Sequence, residues 1–115
     1  MSKHITFINH KKPQSGINGS SLQGYVKTSR AYLEMLFGPP LTDPVDDYKT
    51  KYEWHIEIKH DGETQGFVAI YDYKSDHSDD VGEEIHWHVG AKGPYLSLEV
   101  VDFITTGKHH EVKLG

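Results

Sequence analysis

His86 and His88 flank Trp87 and place two imidazoles on one face of any strand that holds them. That spacing can chelate one ion, but a catalytic zinc site needs a third protein ligand and an open position. His55 or Asp72 would have to supply it from a neighbouring strand. The same two histidines serve equally as hydrogen-bonding groups inside a pocket. The acidic run Asp76 to Glu84 offers oxygens to a hard cation, yet it lacks the regular spacing and placed glycine of an EF-hand loop. No Gly-x-Ser-x-Gly elbow and no phosphate-binding P-loop occurs. Glu53 and Glu57 would share a strand face as paired carboxylates, with nothing else selecting acid–base chemistry.

An anion or nucleotide pocket is the best-motivated site. Ser20, Ser21 and the backbone amides of a Gly-rich loop supply neutral donors, and Lys27 and Arg30 supply charge close to the start of an expected helix. Helix starts favour phosphate because unpaired amides and the helix dipole converge there. Tyr73 or Trp87 would stack on a base, with Tyr71 as a further ring face. His86, His88 and Asp72 would fix sugar or base edges. The plainer alternative makes the aromatic residues core and the Gly-Ser loop a linker.

Charge and composition narrow the partners. The 115 residues carry a net charge of −5, divided unevenly: residues 1–33 hold five basic groups and no acid, and the remainder carries −10. An acidic chain with a single arginine is poorly suited to duplex nucleic acid, which requires a basic footprint. A small anion needs only a few donors in one place. No apolar run approaches the roughly 18 residues of a membrane-spanning helix, and the first residues lack the apolar stretch of an export signal. The absence of cysteine excludes a disulfide framework, a thiolate zinc site and a cysteine nucleophile. It suits a reducing cytoplasm.

The elements that would position these groups follow from pattern. The length suits one domain, 1–115, with an N-terminal strand and Gly/Ser-rich loop over 1–20 and a polar tail over 107–115. His4 to Ile8 reads as a strand, Lys11 to Gly24 as a loop, and Tyr25-Val26 as a short extended piece. Ser29 to Phe37 reads as a helix, capped by Thr28 or Ser29 and stopped by Gly38-Pro39-Pro40, with Tyr32, Met35 and Leu36 on its packing face and Leu33 and Phe37 widening it. Leu41 to Tyr48 reads as a loop. Lys51 to Tyr73 reads as a hairpin turning at Asp61-Gly62, a register that sets Ile56 against Phe67, Trp54 against Ala69 and Tyr52 against Tyr71. Beyond an acidic loop, Lys74 to Glu84, comes a strand at Ile85 to Val89. Pro94 then opens a helix that runs to about Thr106 and packs through Leu96, Val100, Phe103 and Ile104. An edge strand is expected at Glu111 to Leu114. The sum is an α+β domain, a mainly antiparallel sheet with two helices packed on it.

Several stretches together resemble a family of small bacteriophage proteins: Ser21-Leu22-Gln23-Gly24, Leu36-Phe37-Gly38-Pro39-Pro40, Glu53-Trp54, Ala69 to Lys74 and Trp87-His88-Val89-Gly90. They span about residues 21–90. Ala91 stands where the family often has a second glycine, and the acidic loop is longer here. The resemblance implies a viral protein working in a host cytoplasm and implies no activity. Joined to the pocket reading, it leads to a non-enzymatic homo-oligomer that sequesters a small phosphorylated, nucleotide-derived signal and so counters host defence. Such a protein needs no cofactor and acts on neither duplex nucleic acid nor membrane. Two alternatives remain: an inhibitor that blocks a host protein through its acidic surface, and a metal-dependent hydrolase of a nucleotide signal using His86 and His88.

Overall fold

A computed structural model describes residues 4–17, 19–41, 52–72, 81–107 and 110–115. Six strands form one sheet: β1 (Ile5–His10), β2 (Ser21–Ser29), β3 (Glu53–His60), β4 (Glu63–Tyr71), β5 (Glu84–Ala91) and β6 (Glu111–Leu114). Their spatial order is β2-β5-β4-β3-β1-β6. Every pairing is antiparallel except β1 with β6. Two helices, α1 (Arg30–Phe37) and α2 (Pro94–Thr106), pack on one face, completing the expected α+β architecture.

That helical face is the core. Phe7, Trp54, Ile56, Ile58, Val68, Ile70, Trp87 and Val89 project from the sheet and meet Leu33, Phe37, Val100, Phe103 and Ile104 of the helices. Each fully buried side chain of this size contributes on the order of 1.5–3 kcal/mol. Phe7 stacks on Phe103 with centroids 4.9 Å apart, and Trp54 meets Trp87 edge-on at 5.4 Å. A buried indole must still place its N–H. Trp54 donates to Gly38 O and Trp87 to Thr28 O, both at 2.9 Å. Asn9 is buried on β1 and donates to Phe37 O and Pro39 O at 2.8 Å, so a strand side chain caps the carbonyl end of α1.

Three expectations are corrected. β2 is nine residues long and begins at Ser21, inside the stretch expected to be a loop. On α1 Leu33 and Phe37, expected only to widen the packing face, are its buried centre with Tyr32 and Leu36 beside them, while Met35 is 70% exposed. In the hairpin, Asp61-Gly62 is the turn, and the expected register holds for Lys59 against Thr64 and His60 against Glu63. Gln65 is then an extra residue, so Ile58 faces Gly66, Ile56 faces Val68, Trp54 faces Ile70 and Glu53 faces Tyr71. A one-residue bulge sends every later side chain of a strand to the opposite face. Val68 and Ile70 therefore enter the core, and Phe67, Ala69 and Tyr71 turn to the other side. Gly66 belongs at this irregularity because the Leu96 side chain of α2 comes within 2.5 Å of where a Cβ would lie. The Leu41–Tyr48 loop, apart from Leu41, and most of the acidic loop fall outside the described residues.

The remaining connection crosses the face without helices. Four successive antiparallel pairings make β1 and β2 run the same way, yet three strands lie between them. Residues 11–17 and 19–20 lie along that gap as a strap with one 3-10 turn at Ser15–Ile17. The strap lies so close to the sheet that a Cβ on Gly16 would sit 2.2 Å from the Phe67 ring. Gly16→Ala is expected to cost about 1–3 kcal/mol, the usual range for overpacking. The cost should shrink when Phe67 is also cut to alanine, measured by urea denaturation of the two single variants and the double variant.

Candidate ligand-binding face

Alternation along the strands carries Tyr25 and Lys27, His86 and His88, Ala69 and Tyr71, and Glu53, His55 and Glu57 to the face opposite the helices. The strap divides this face into a covered part and an open part.

Under the strap the polar groups are paired. His55 is 4% exposed. Its Nδ1 accepts the backbone N–H of Gln14 at 3.0 Å, which leaves the ring proton on Nε2, 2.5 Å from Glu53 Oε2. His10 Nε2 lies 2.8 Å from Glu57 Oε1, and the Thr64 hydroxyl donates to the other oxygen of Glu57. Burial pushes the Glu57 carboxyl up. The hydrogen bonds from Thr64 and His10 and the charges of His10 and Lys59 more than offset this and hold it below its ordinary 4.5.

The open part carries a row of rings across three strands. Tyr25 on the edge strand meets His88 edge-on, with centroids 4.9 Å apart, and His88 lies 5.3 Å from Tyr71 at a tilt of 38°. Tyr25 is 55% exposed, so the row reaches solvent. Beside it, Gly90 leaves a space bounded by Tyr71 Cε1 and Ser20 Oγ, 3.6 and 3.8 Å from the position a Cβ would take. On the opposite side of the row, Lys27 pairs in register with His86. Both are exposed. Lys27 also lines a cleft of about 450 Å³ at the sheet edge, with Ser29, Tyr32, Glu84, Ile104 and Thr105 among its walls.

Of the residues singled out in the sequence, Ser20, Lys27, Tyr71, His86 and His88 thus lie on or next to one surface, whereas Ser21 pairs in register with the core residue Ala91. Ser21 Oγ accepts from Gln23 Nε2 at 2.8 Å. The others lie elsewhere. Trp87 is 1% exposed, with its ring against Trp54, so it offers no face to a base and belongs to the core. Asp72 is 1% exposed and clamps the open end of the hairpin: its Oδ1 accepts the Tyr52 N–H at 3.0 Å. Its own N–H donates to Tyr52 O at 3.3 Å. Arg30 opens α1, but its guanidinium lies 4.2 Å over the Tyr52 ring and its Nε is 3.3 Å from Glu34. Its charge is therefore engaged within the fold rather than presented with Lys27. Tyr73 lies outside the described residues. Among the described residues no three His, Asp or Glu side chains are grouped to hold a metal ion.

Tyr25 was missed as a site residue. The signal was present: in Tyr25-Val26-Lys27-Thr28, large and small side chains alternate, and a strand that buries Val26 and Thr28 must expose Tyr25 and Lys27.

In comparisons with known proteins, no family model, no curated protein and no solved structure matches this chain.

Glu57 makes a testable contribution to stability. A carboxyl held below its ordinary value stabilises the fold above that value, and this stabilisation is lost as pH falls through the folded value. The wild type should exceed Glu57→Gln in urea midpoint at pH 7, and the difference should close as pH falls from about 5 to 3.

Proposed function

We propose that this chain is a non-enzymatic binding protein of phage origin that captures a small phosphorylated, nucleotide-like ligand on the open part of its helix-free face. The observation that carries the reading is the row Tyr25–His88–Tyr71, exposed at Tyr25 and half-buried at His88 and Tyr71, set beside Lys27 and His86. Exposed rings on a sheet face suit the flat faces of a base, and stacking of this kind contributes about 1–3 kcal/mol per base. Lys27 and His86 supply charge and a donor for phosphate, and Ser20 beside Gly90 supplies a hydroxyl for a sugar or base edge. Arg30, Asp72 and Trp87 have no part in this version of the site. The ligand is a nucleotide-derived immune signal in a host cytoplasm, and the protein acts by holding it. Leu22 and Tyr25, exposed on edge strand β2, support a homo-oligomer.

Native mass spectrometry of the full chain with a panel of linear and cyclic nucleotides tests the reading. The expected result is a bound nucleotide that is released intact on denaturation. Tyr25→Ala and His88→Ala should each weaken retention of that nucleotide by roughly tenfold, in keeping with a stacking contact. Lys27→Gln should weaken it and flatten its dependence on salt. A converted nucleotide would make the protein an enzyme, and failure to retain any nucleotide would remove the pocket.

A further inference from the structure

We infer that the strap formed by residues 11–17 and 19–20 is a pH-sensitive latch, closed by the neutral form of His55 and opened when that imidazole gains a second proton. The inference rests on how His55 is bonded and stands apart from the identity of any ligand.

An imidazole has two nitrogens, and here both are committed with a defined sense. The Gln14 backbone N–H can only donate, so the Nδ1 it meets at 3.0 Å must present a lone pair. Nε2 then carries the proton, directed at Glu53 Oε2. A second proton could go only to Nδ1, where it would point at the Gln14 N–H. Two donors cannot share that position, and the ring is 4% exposed, so water cannot readily relieve the conflict. The carboxylate of Glu53 favours the charged ring, whereas the strap contact forbids it.

The groups around His55 sharpen the conflict without removing it. On its own strand Glu53 and Glu57 lie two residues to either side, and Glu57 is held by His10 and Thr64. Its register partner on β1 is His10, and its partner on β4 is Ala69, with Tyr71 two residues farther along. In the strap, Lys12 precedes Gln14, whose side-chain amide donates to Lys12 O at 3.0 Å. None of these replaces the acceptor that the Gln14 N–H would lose.

The sign follows from proton counting. The closed strap binds one proton fewer at His55 than the open strap, so lowering pH favours opening. Imidazoles ordinarily titrate between about pH 8 and 5, within reach of physiological change. Opening also moves the binding face, because Ser20 ends the strap and bounds the space over Gly90.

Hydrogen exchange of the full chain, followed by mass spectrometry on peptides covering residues 12–20 and corrected for the intrinsic effect of pH, reads the latch directly. Protection in those peptides should fall at least tenfold between pH 8 and pH 5.5 while protection in β3 and β4 persists. His55→Gln keeps an acceptor and a donor but cannot titrate, and its strap should be equally protected at both pH values. Equal protection of the wild-type strap at both pH values would overturn the inference. So would a loss in His55→Gln as large as in the wild type. Nitrogen-15 spectra of the wild-type histidines give a second reading that needs no variant. An unprotonated Nδ1 at pH 8, titrating together with the Gln14 amide, is expected, and a protonated Nδ1 at pH 8 overturns the latch.

Discussion

The strand order imposes one demand on everything else. β1 and β2 are consecutive and parallel, yet β3, β4 and β5 lie between them. The link must cross four inter-strand spacings of about 4.8 Å each, roughly 19 Å. A parallel crossover usually does this with a helix. Here both helices occupy the other face, and an almost helix-free strap makes the crossing. A chain laid flat on a sheet has few side chains to bury, so it must approach closely and be pinned by polar contacts. Gly16 above Phe67 provides the approach, and the bond from Gln14 to His55 provides the pin.

The two faces of the sheet consequently differ in kind. The helical face is apolar and largely aromatic, and its indole N–H groups and Asn9 bond to backbone carbonyls. The strap face keeps histidine–carboxylate pairs and exposed rings. Such pairs tolerate partial burial only where each nitrogen and oxygen finds a partner. His55 meets that condition at both nitrogens and Glu57 at both oxygens. The histidines accordingly differ by position: His10 and His55 are tied to Glu57 and Glu53, whereas His86 and His88 lie on β5 beside the edge strand.

Much of this was legible in the sequence because local signals agree with the fold. Pro94 at the start of α2 and Gly107 at its end mark that helix, and Asp61-Gly62 marks the hairpin turn. The face of β4 was not legible, since one extra residue, Gln65, reverses it without any change in hydrophobic pattern: Phe67, Ala69 and Tyr71 read as apolar as Val68 and Ile70. Trp87 failed as a stacking ring for a related reason. A Trp between two histidines fits a pocket wall and a core strand equally well, and only the position of α1 and α2 decides. Arg30 failed because Tyr52 and Glu34, which engage its charge, become its neighbours through the fold and the helix turn.

Electrostatics sets how the open face must work. The chain carries −5 overall, so the phosphorylated ligand proposed above would approach a net repulsive body. At physiological ionic strength charges more than about 8 Å apart are largely screened. Distant acids therefore matter little, and the local balance around Lys27 and His86 governs. Glu84, which lines the cleft at the sheet edge together with Lys27, belongs to that balance and opposes it. One lysine partly offset by one carboxylate makes a weak phosphate grip. On the reading proposed above, tight retention would come mainly from ring contact along Tyr25–His88–Tyr71, and a ligand with a base would be preferred over phosphate alone.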